Sequence, residues 1–420
     1  MAFSGRQHVV LIDPVLTGDG FLRACHQRGF AVTAVYTLGA EVLDAVARER
    51  RNGTHAVVHA SSVADILALV ERPVHAVVAA TEPGVALADG VAHALGLPGN
   101  DPATAPARRY KDAMRNHARA VGLPVPRFEV VPGGSEAARP DALFLAAQRI
   151  GFPAIIKPTS GAAAHGVQVL RNADDARRLL GSPQSRDIFG HRISGWVVEE
   201  YLSGRELAVN CFSDGVEHHV LDIWEYQQPV EGPYDQPYWN LIQITAEDAD
   251  WAGVVRAVQQ ILTEFGVCIG PSHTEVKVTA DGVRLIEVGA RLPGARMTDH
   301  WAQHSGFDAY DETVSAFLDP ASLTTRDKLP HFDARLGICC LRNDGLEGRL
   351  ESLRGADAVA GIPQVDALHL NYQVGDRVPV TTDLNSLFGK ALVSADTVED
   401  LLRVHENVRK TIEMEISTHG

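Results

Sequence analysis

A chain of 420 residues is long enough for two or three domains, and its 45% hydrophobic and 6% aromatic content supplies an ordinary globular core. The formal net charge of −15 argues against a broad nucleic-acid surface, because phosphate contacts need clustered Lys and Arg. The five cysteines (Cys25, Cys211, Cys268, Cys339, Cys340) form no CxxC pair, which excludes a disulfide framework or thiolate zinc site and fits a reducing, cytoplasmic setting.

The opening MAFSGRQHVVLID carries no long apolar run with a cleavage site, and no stretch nears about 18 uninterrupted apolar residues, so neither signal peptide nor membrane span is expected. Residues 7–100 then alternate short apolar strands with helices. His8–Asp13 (HVVLID), Phe30–Tyr36 (FAVTAVY), His55–Ala60 and His75–Ala80 (HAVVAA) read as strands of a parallel, Rossmann-like α/β sheet, with a helix over Gly20–Arg28. The first turn holds Gly18-Asp19-Gly20, but Arg23 stands where a dinucleotide fingerprint needs its third glycine, and no acid clearly ends the second strand. The turn therefore reads as the edge of a substrate cleft.

A Pro-rich junction, LGLPGNDPATAP, marks a boundary near residue 100. A helix is predicted over Thr104–Val121, broken by LPVP at 123–126. Strand Phe128–Val131 precedes the polar loop PGGSEAARPD, and Asp141 is expected to cap a helix ending at Ile150. Antiparallel strands with helices follow from Phe152 to about Phe317. After about Leu329 a further unit begins, with strands Leu336–Leu341, Ala367–Tyr372 and Lys390–Ser394 and a last helix opened by the capping-box pattern Thr397-x-x-Asp400.

Three segments carry the chemistry. In AIIKPTSGAAAHGV (154–167), a strand delivers Lys157 to a loop whose Gly161, Gly166 and alanines let backbone amides approach phosphate oxygens. In WVVEEYLSGRE (196–206), backbone groups around Glu199, Glu200 and Leu202 suit an adenine edge, and Glu206 is spaced to accept both ribose hydroxyls. Surface hairpins are the competing explanation for both. In HTEVKVTADGVRLIEVGAR (273–291), two alternating strands flank Ala280-Asp281-Gly282. A two-residue Asp-Gly turn would set Glu275 and Glu287 on opposite faces. A three-residue loop with Gly282 left-handed pairs 275 with 287, and their Cβ atoms then lie about 5 Å apart. Like charges so placed need a compensating cation, and a hard divalent ion is the natural one; the three-residue loop is therefore expected. Arg291 and Arg296 follow within LPGAR's reach, suited to a phosphate and a carboxylate. His273, on the strand face of Glu275, is a substrate candidate or a structural histidine; Glu82 is a further substrate candidate.

The order of these elements resembles the ATP-grasp superfamily over about residues 7–320, and residues 330–415 resemble more loosely the C-terminal domain of the dipeptide-forming L-amino acid ligases. The resemblance implies a Rossmann-like domain (1–100), an ATP-grasp domain (101–325) with a mobile lid (about 125–203) and a C-terminal α+β domain (326–420), with ATP between two antiparallel sheets. It implies Lys111 (in RRYKDAMR) and Lys157 as nucleotide lysines, Glu199, Glu200 and Leu202 as the adenine hinge, Glu206 as the ribose acid, Glu275 and Glu287 as Mg²⁺ (or Mn²⁺) ligands and Arg291 at the transferring phosphoryl group. Two departures stand out. Gly289 occupies a position where many relatives have a metal-binding Asn, and Ala164-His165 replaces a lid serine. The implied activity joins a carboxylate, that of an amino acid by the C-terminal resemblance, to an amine through an acyl phosphate. Homodimerisation and small-molecule partners, with neither nucleic acid nor membrane, go with it. The aromatic stretch 222–240 is expected to form a loop near the acceptor amine. Alternatives are a purine-biosynthesis or biotin-carboxylase-like ATP-grasp enzyme and, further off, a non-catalytic nucleotide-binding protein.

Overall fold

A computed structural model describes residues 6–38, 56–133, 139–180, 185–228, 239–323 and 329–418. Residues 229–238 of the aromatic stretch, and half of the PGGSEAARPD loop (134–138), lie outside them. Strands β1 (His8–Ile12), β2 (Ala31–Tyr36), β3 (Ala56–His59) and β4 (Ala76–Ala79) form the expected parallel sheet, in the order β3-β2-β1-β4. Helix Asp19–Gln27 joins β1 to β2, helix Val63–Leu69 joins β3 to β4, and helix Val85–Leu95 follows β4. The first-turn glycines serve packing: a Cβ on Gly20 would come within 2.3 Å of the Tyr310 ring, and one on Gly18 within 2.8 Å of the Ala80 carbonyl oxygen.

The predicted helix over 104–121 is interrupted. A 3₁₀ turn, Ala105–Arg108, gives way to an extended Tyr110, and the α-helix runs Lys111–Ala120. The break lets the Lys111 amide donate to the Thr159 carbonyl oxygen (2.9 Å), which fixes Lys111 at the first helical position. Next comes an antiparallel sheet of β5 (Phe128–Pro132), β6 (Ala154–Pro158), β7 (Gln168–Leu170) and β8 (Gly195–Glu200), ordered β5-β8-β6-β7. Helix Arg139–Ile150 buries Leu143, Ala146, Ala147 and Ile150 against it. Asp141 sits inside the first turn of that helix, where an acid complements the dipole, and is not its cap.

The chain then forms β9 (Arg205–Asp214), β10 (His218–Gln227), β11 (Asn240–Ile244), β12 (Ile269–Thr279) and β13 (Gly282–Gly289), followed by β14 (Arg335–Leu341), β15 (Gly348–Arg354), β16 (Val365–Leu370), β17 (Arg377–Val378), β18 (Gly389–Ala395) and β19 (Glu413–Ser417). The three strands expected after Leu329 are present as β14, β16 and β18. They continue the sheet of β9–β13, because β11 pairs with β14, giving one antiparallel sheet β13-β12-β9-β10-β11-β14-β18-β16. Strands β15, β17 and β19, which the sequence pattern did not reveal, form a separate sheet. Thr397 caps helix Val398–Thr411 by accepting from the Asp400 amide, as the capping box requires.

The central sheet is anchored by a buried acid. Asp222 on β10 accepts hydrogen bonds from Asn210 Nδ2 (2.6 Å), Trp224 Nε1 (2.5 Å), Trp301 Nε1 (2.6 Å) and Gln243 Nε2 (3.4 Å). One carboxylate thus satisfies donors from β9, β10, β11 and helix Met297–Ser305. Asp222→Asn turns an acceptor into a group that must point its own N–H bonds at other donors. It is expected to lower the unfolding free energy by about 1–3 kcal/mol. Urea denaturation checks this, and a midpoint equal to the parent's would show that the four bonds do not stabilise the sheet.

Candidate active site

A cavity of about 360 Å³ opens between the β5–β8 sheet and the central sheet. Leu16, Thr17 and Glu82 line it from the parallel-sheet side, and Leu384, Asn385 and Lys390 from the C-terminal strands. Successive strand side chains point to opposite faces, so the period-2 pattern of β12 sends His273, Glu275 and Lys277 together into the cavity.

Glu275 stands directly opposite Glu287, as expected, but the loop that achieves it is different. The turn holds only Ala280 and Asp281, since Thr279 pairs with Gly282. Continued unchanged, that register would set Glu275 opposite Ile286. An extra residue on β13, between the partners of Glu275 and Val276, shifts it by one and restores the carboxylate pair. The Arg115 guanidinium donates to the carbonyl oxygen of that extra residue, Ile286 (3.0 Å).

Cations surround the pair. Lys111 Nζ donates to Glu287 Oε1 (2.9 Å) and to the Gly161 carbonyl oxygen (3.3 Å). Burial by itself would raise the Glu287 carboxyl, but Lys111, with Arg291 and Lys157, outweighs it and holds the group below the ordinary carboxylate range. Lys157 Nζ lies 3.1 Å from Glu199 Oε2, and Arg115 Nε donates to Glu199 Oε1 (2.5 Å). The side chain of Glu199 is therefore a buried counter-ion for two cations, not a group presented to a base edge. Glu200 likewise accepts from the Arg127 amide (2.8 Å) and from Arg127 Nε (2.7 Å), although it and Leu202 border the cavity.

Glu206 pairs with Lys277 (3.1 Å). Arg291 Nε donates to Glu82 Oε2 (2.6 Å), so two residues expected near substrate hold one another at the cavity wall. This ion pair accounts for Gly289: a Cβ there would lie 3.1 Å from Glu82 Oε2 and 3.5 Å from Arg291 Nε, and an Asn side chain would push into the pair. His273 is held by Asn210 (Nδ1 to Oδ1, 2.7 Å), and its Nε2 lies 3.4 Å from Glu275 and 3.5 Å from the Tyr226 hydroxyl. Arg296 is not among the cavity-lining residues. It is half exposed and pairs with Asp299 (2.9 Å).

Backbone strain concentrates around this cavity. Among the described residues, the non-glycine left-handed positions are Asp13, Leu16, Ala163, Ala164, Ala295 and Arg296, in three loops that each contribute to the wall. Gly161 (φ 117°) and Gly166 (φ 72°) bracket the Ala163-Ala164 bend. His165, in the place of a lid serine, bonds Asp383 (3.0 Å), and the Leu384 amide donates to the Ala163 carbonyl oxygen (3.2 Å). The loop expected to cradle phosphate is thus tied to the C-terminal strands.

Sequence reasoning missed Arg115, Lys277 and Lys390, and it reached Tyr226 only as part of a stretch expected to be loop, whose residues 222–227 are strand β10. Lys277 was open to discovery, since it continues the 273, 275 alternation. The others reach the site through long-range packing, and burial pushes the Lys390 ammonium below its ordinary range.

Glu199 carries the clearest stability linkage. Burial raises its carboxyl, yet Arg115 and Lys157 together bring it down to about 2. A carboxyl depressed in the folded state stabilises at pH values above its unfolded range and loses that contribution as pH falls toward the folded value. Glu199→Gln leaves two buried cations under-compensated and is expected to cost about 3–5 kcal/mol at neutral pH. The gap between parent and variant in guanidinium denaturation should be wide at pH 7 and narrow by pH 3. A gap independent of pH would contradict the ion-pair account.

Comparison with known proteins agrees with this geometry. Residues 150–299 match the model of the ATP-grasp domain, and residues 346–417 that of L-amino acid ligase C-terminal domain 2. Dapdiamide A synthase of Enterobacter agglomerans is 23% identical over 336 residues, 79% of this chain and 75% of that protein. The L-arginine-specific L-amino acid ligase of Bacillus subtilis is 22% identical over 311 residues, 73% of this chain and 71% of its own. The crystal structure of an L-amino acid ligase from Bacillus licheniformis superposes with a TM-score of 0.76 at 19% identity, covering 98% of this chain and 99% of that one. An ATP-grasp domain is thus followed in this chain by L-amino acid ligase C-terminal domain 2, around a cleft of paired glutamates and lysines, and the chain is an enzyme similar to the L-amino acid ligases.

Proposed function

We propose that this enzyme uses ATP to activate the carboxylate of an amino acid as an acyl phosphate and joins it to an amine, with release of ADP and phosphate. The observation that carries the proposal is the carboxylate pair, Glu275 opposite Glu287, set among Lys111, Lys157 and Arg291. Two opposed carboxylates with one lysine between them and the phosphate loop suit a hard divalent cation, whose preferred ligands are carboxylate oxygens. Glu275 and Glu287 would hold Mg²⁺ (or Mn²⁺), which supplies charge neutralisation on the phosphates.

In this reading Lys157 and Lys111 exchange their present acidic partners for phosphate oxygens, and the amides of the 160–167 loop cradle the chain of phosphates. Leu202 packs on the adenine, beside Glu200, and Glu206 accepts the ribose hydroxyls. The substrate carboxylate oxygen attacks the γ-phosphorus as the bond to the β-phosphate oxygen breaks, so catalysis rests on positioning and charge. The amine nitrogen then attacks the acyl carbon, phosphate leaves and the nitrogen loses a proton. Arg291, held by Glu82, stabilises the oxyanion of this step, and His273 borders the acyl group. The His165–Asp383 contact keeps the phosphate loop closed over a reactive acyl phosphate that water would destroy.

The amino-acid substrate class is supported by the C-terminal domain match and by the substrate named in the B. subtilis relative. We assign residues 1–100, 101–325 (lid about 125–203) and 326–420 as the three domains. A cytoplasmic homodimer acting on small molecules, without nucleic-acid or membrane partners, completes the proposal; among the described residues no helix is long and apolar enough to cross a membrane.

Purified protein with ATP, Mg²⁺ and a matrix of amino-acid pairs should release ADP and phosphate only with particular pairs, together with a condensed product by mass. AMP and pyrophosphate would overturn the acyl-phosphate route. Arg291→Ala should lower kcat by about 10²–10³-fold, the effect of removing one oxyanion donor; unchanged turnover would remove Arg291 from the mechanism.

A further inference from the structure

Away from the ATP cavity, two histidines and an aspartate converge. His300 and His304 lie one turn apart on helix Met297–Ser305 and so share a face. Their Nε2 atoms lie 3.0 and 3.1 Å from the same atom, Asp366 Oδ2 on β16. All three donor atoms fall within 4.8 Å of one another, and none of these residues lines the nucleotide cavity. We propose that His300, His304 and Asp366 bind a borderline transition-metal ion, Zn²⁺ by class, which clamps this helix to β16.

Donor accounting at His304 supports a metal, while His300 Nδ1 is buried without a hydrogen-bond partner. Asp333 Oδ1 lies 2.9 Å from His304 Nδ1, so both ring nitrogens of His304 face carboxylate oxygens. A neutral imidazole donates from one nitrogen only, which leaves a lone pair aimed at an oxygen. A cation removes the conflict: Nδ1–H donates to Asp333 while the Nε2 lone pair binds the ion. This is the carboxylate–histidine–metal arrangement that orients metal-binding histidines. The other oxygen of Asp366 is held by Ser394 Oγ (3.0 Å) and Gln303 Nε2 (3.0 Å), which leaves Oδ2 aimed between the two rings. His300 is stacked on Trp224, with ring centroids 6.3 Å apart, and is wholly buried.

The dimensions fit. Zinc bonds to nitrogen and oxygen of about 2.0–2.2 Å in a tetrahedron imply ligand-to-ligand edges of about 3.3–3.5 Å. The two histidine-to-aspartate separations are already 3.0 and 3.1 Å, so a small spreading admits the ion. Two imidazoles and one carboxylate select zinc-like ions over Mg²⁺, which prefers oxygen. The remaining position falls to water. The alternative occupant is a second proton on His304, which would let it donate to both aspartates.

The test uses the full chain, stripped with chelator, in constant excess Mg²⁺. Adding Zn²⁺ should raise Tm and leave about one bound zinc per chain, because an ion that binds only the folded state stabilises it. Co²⁺ in its place should give the intense visible bands of tetrahedral coordination. His304→Gln should abolish both signals. Asp333→Asn alters a side chain that is 74% exposed, so folding is preserved, and it should weaken zinc affinity about 10–100-fold. The proposal is overturned by a parent with neither a zinc-dependent Tm rise nor tetrahedral Co²⁺ bands. It is equally overturned by a zinc response that persists in His304→Gln, or by an affinity that Asp333→Asn does not change.

Discussion

Glu275 and Glu287 face one another across the β12–β13 hairpin, two like charges held where a strand ladder would ordinarily avoid them. Much of the site follows from that placement. It calls for cations, and Lys111, Lys157, Lys277 and Arg291 converge from four different elements. It calls for an irregular ladder, since the two-residue turn alone would misalign the pair. Arg115 joins the two requirements, because the same guanidinium binds the Ile286 carbonyl oxygen and the Glu199 carboxylate. The hairpin register and the charge network behind Lys157 are thereby one structure.

The site is also fastened to the core by a chain of buried polar contacts. Asp222 fixes Asn210, Asn210 fixes the His273 ring, and His273 stands beside Glu275. Trp301, on the helix that follows the LPGAR loop, donates to the same Asp222. Fully satisfied buried networks of this kind rigidify what they touch, so the cavity face of β12 inherits the order of the sheet interior. At the opposite rim the walls are left-handed alanine turns and an inter-element contact through His165.

What was legible in the sequence was whatever a strand or loop encodes locally. The alternation in HTEVKV exposed Glu275 and its partner, the apolar runs gave the parallel sheet, and Thr397-x-x-Asp400 marked a helix start. What was not legible came from distance. The helix over 104–121 breaks because Lys111 is tied to Thr159, and propensity carries no sign of that bond. The loop length was misread because the correction lies at Ile286, in the strand and not in the turn. The ion pairs of the Glu199 side chain were not visible because its two cations, Arg115 and Lys157, come from elsewhere in the chain. The joining of the C-terminal strands to the central sheet was not visible because the β11–β14 pairing spans a long stretch of intervening chain. The resemblance to ATP-grasp enzymes supplied roles that no local pattern could.

The central claim is that the opposed glutamates create a divalent-cation site that binds nucleotide. Calorimetric titration with a non-hydrolysable ATP analogue, with and without Mg²⁺, tests it on the parent, Glu275→Gln and Glu287→Gln. The account predicts that Mg²⁺ strengthens nucleotide binding to the parent and that either substitution removes most of this gain while the fold persists. Mg²⁺-enhanced binding that survives in both variants would contradict it.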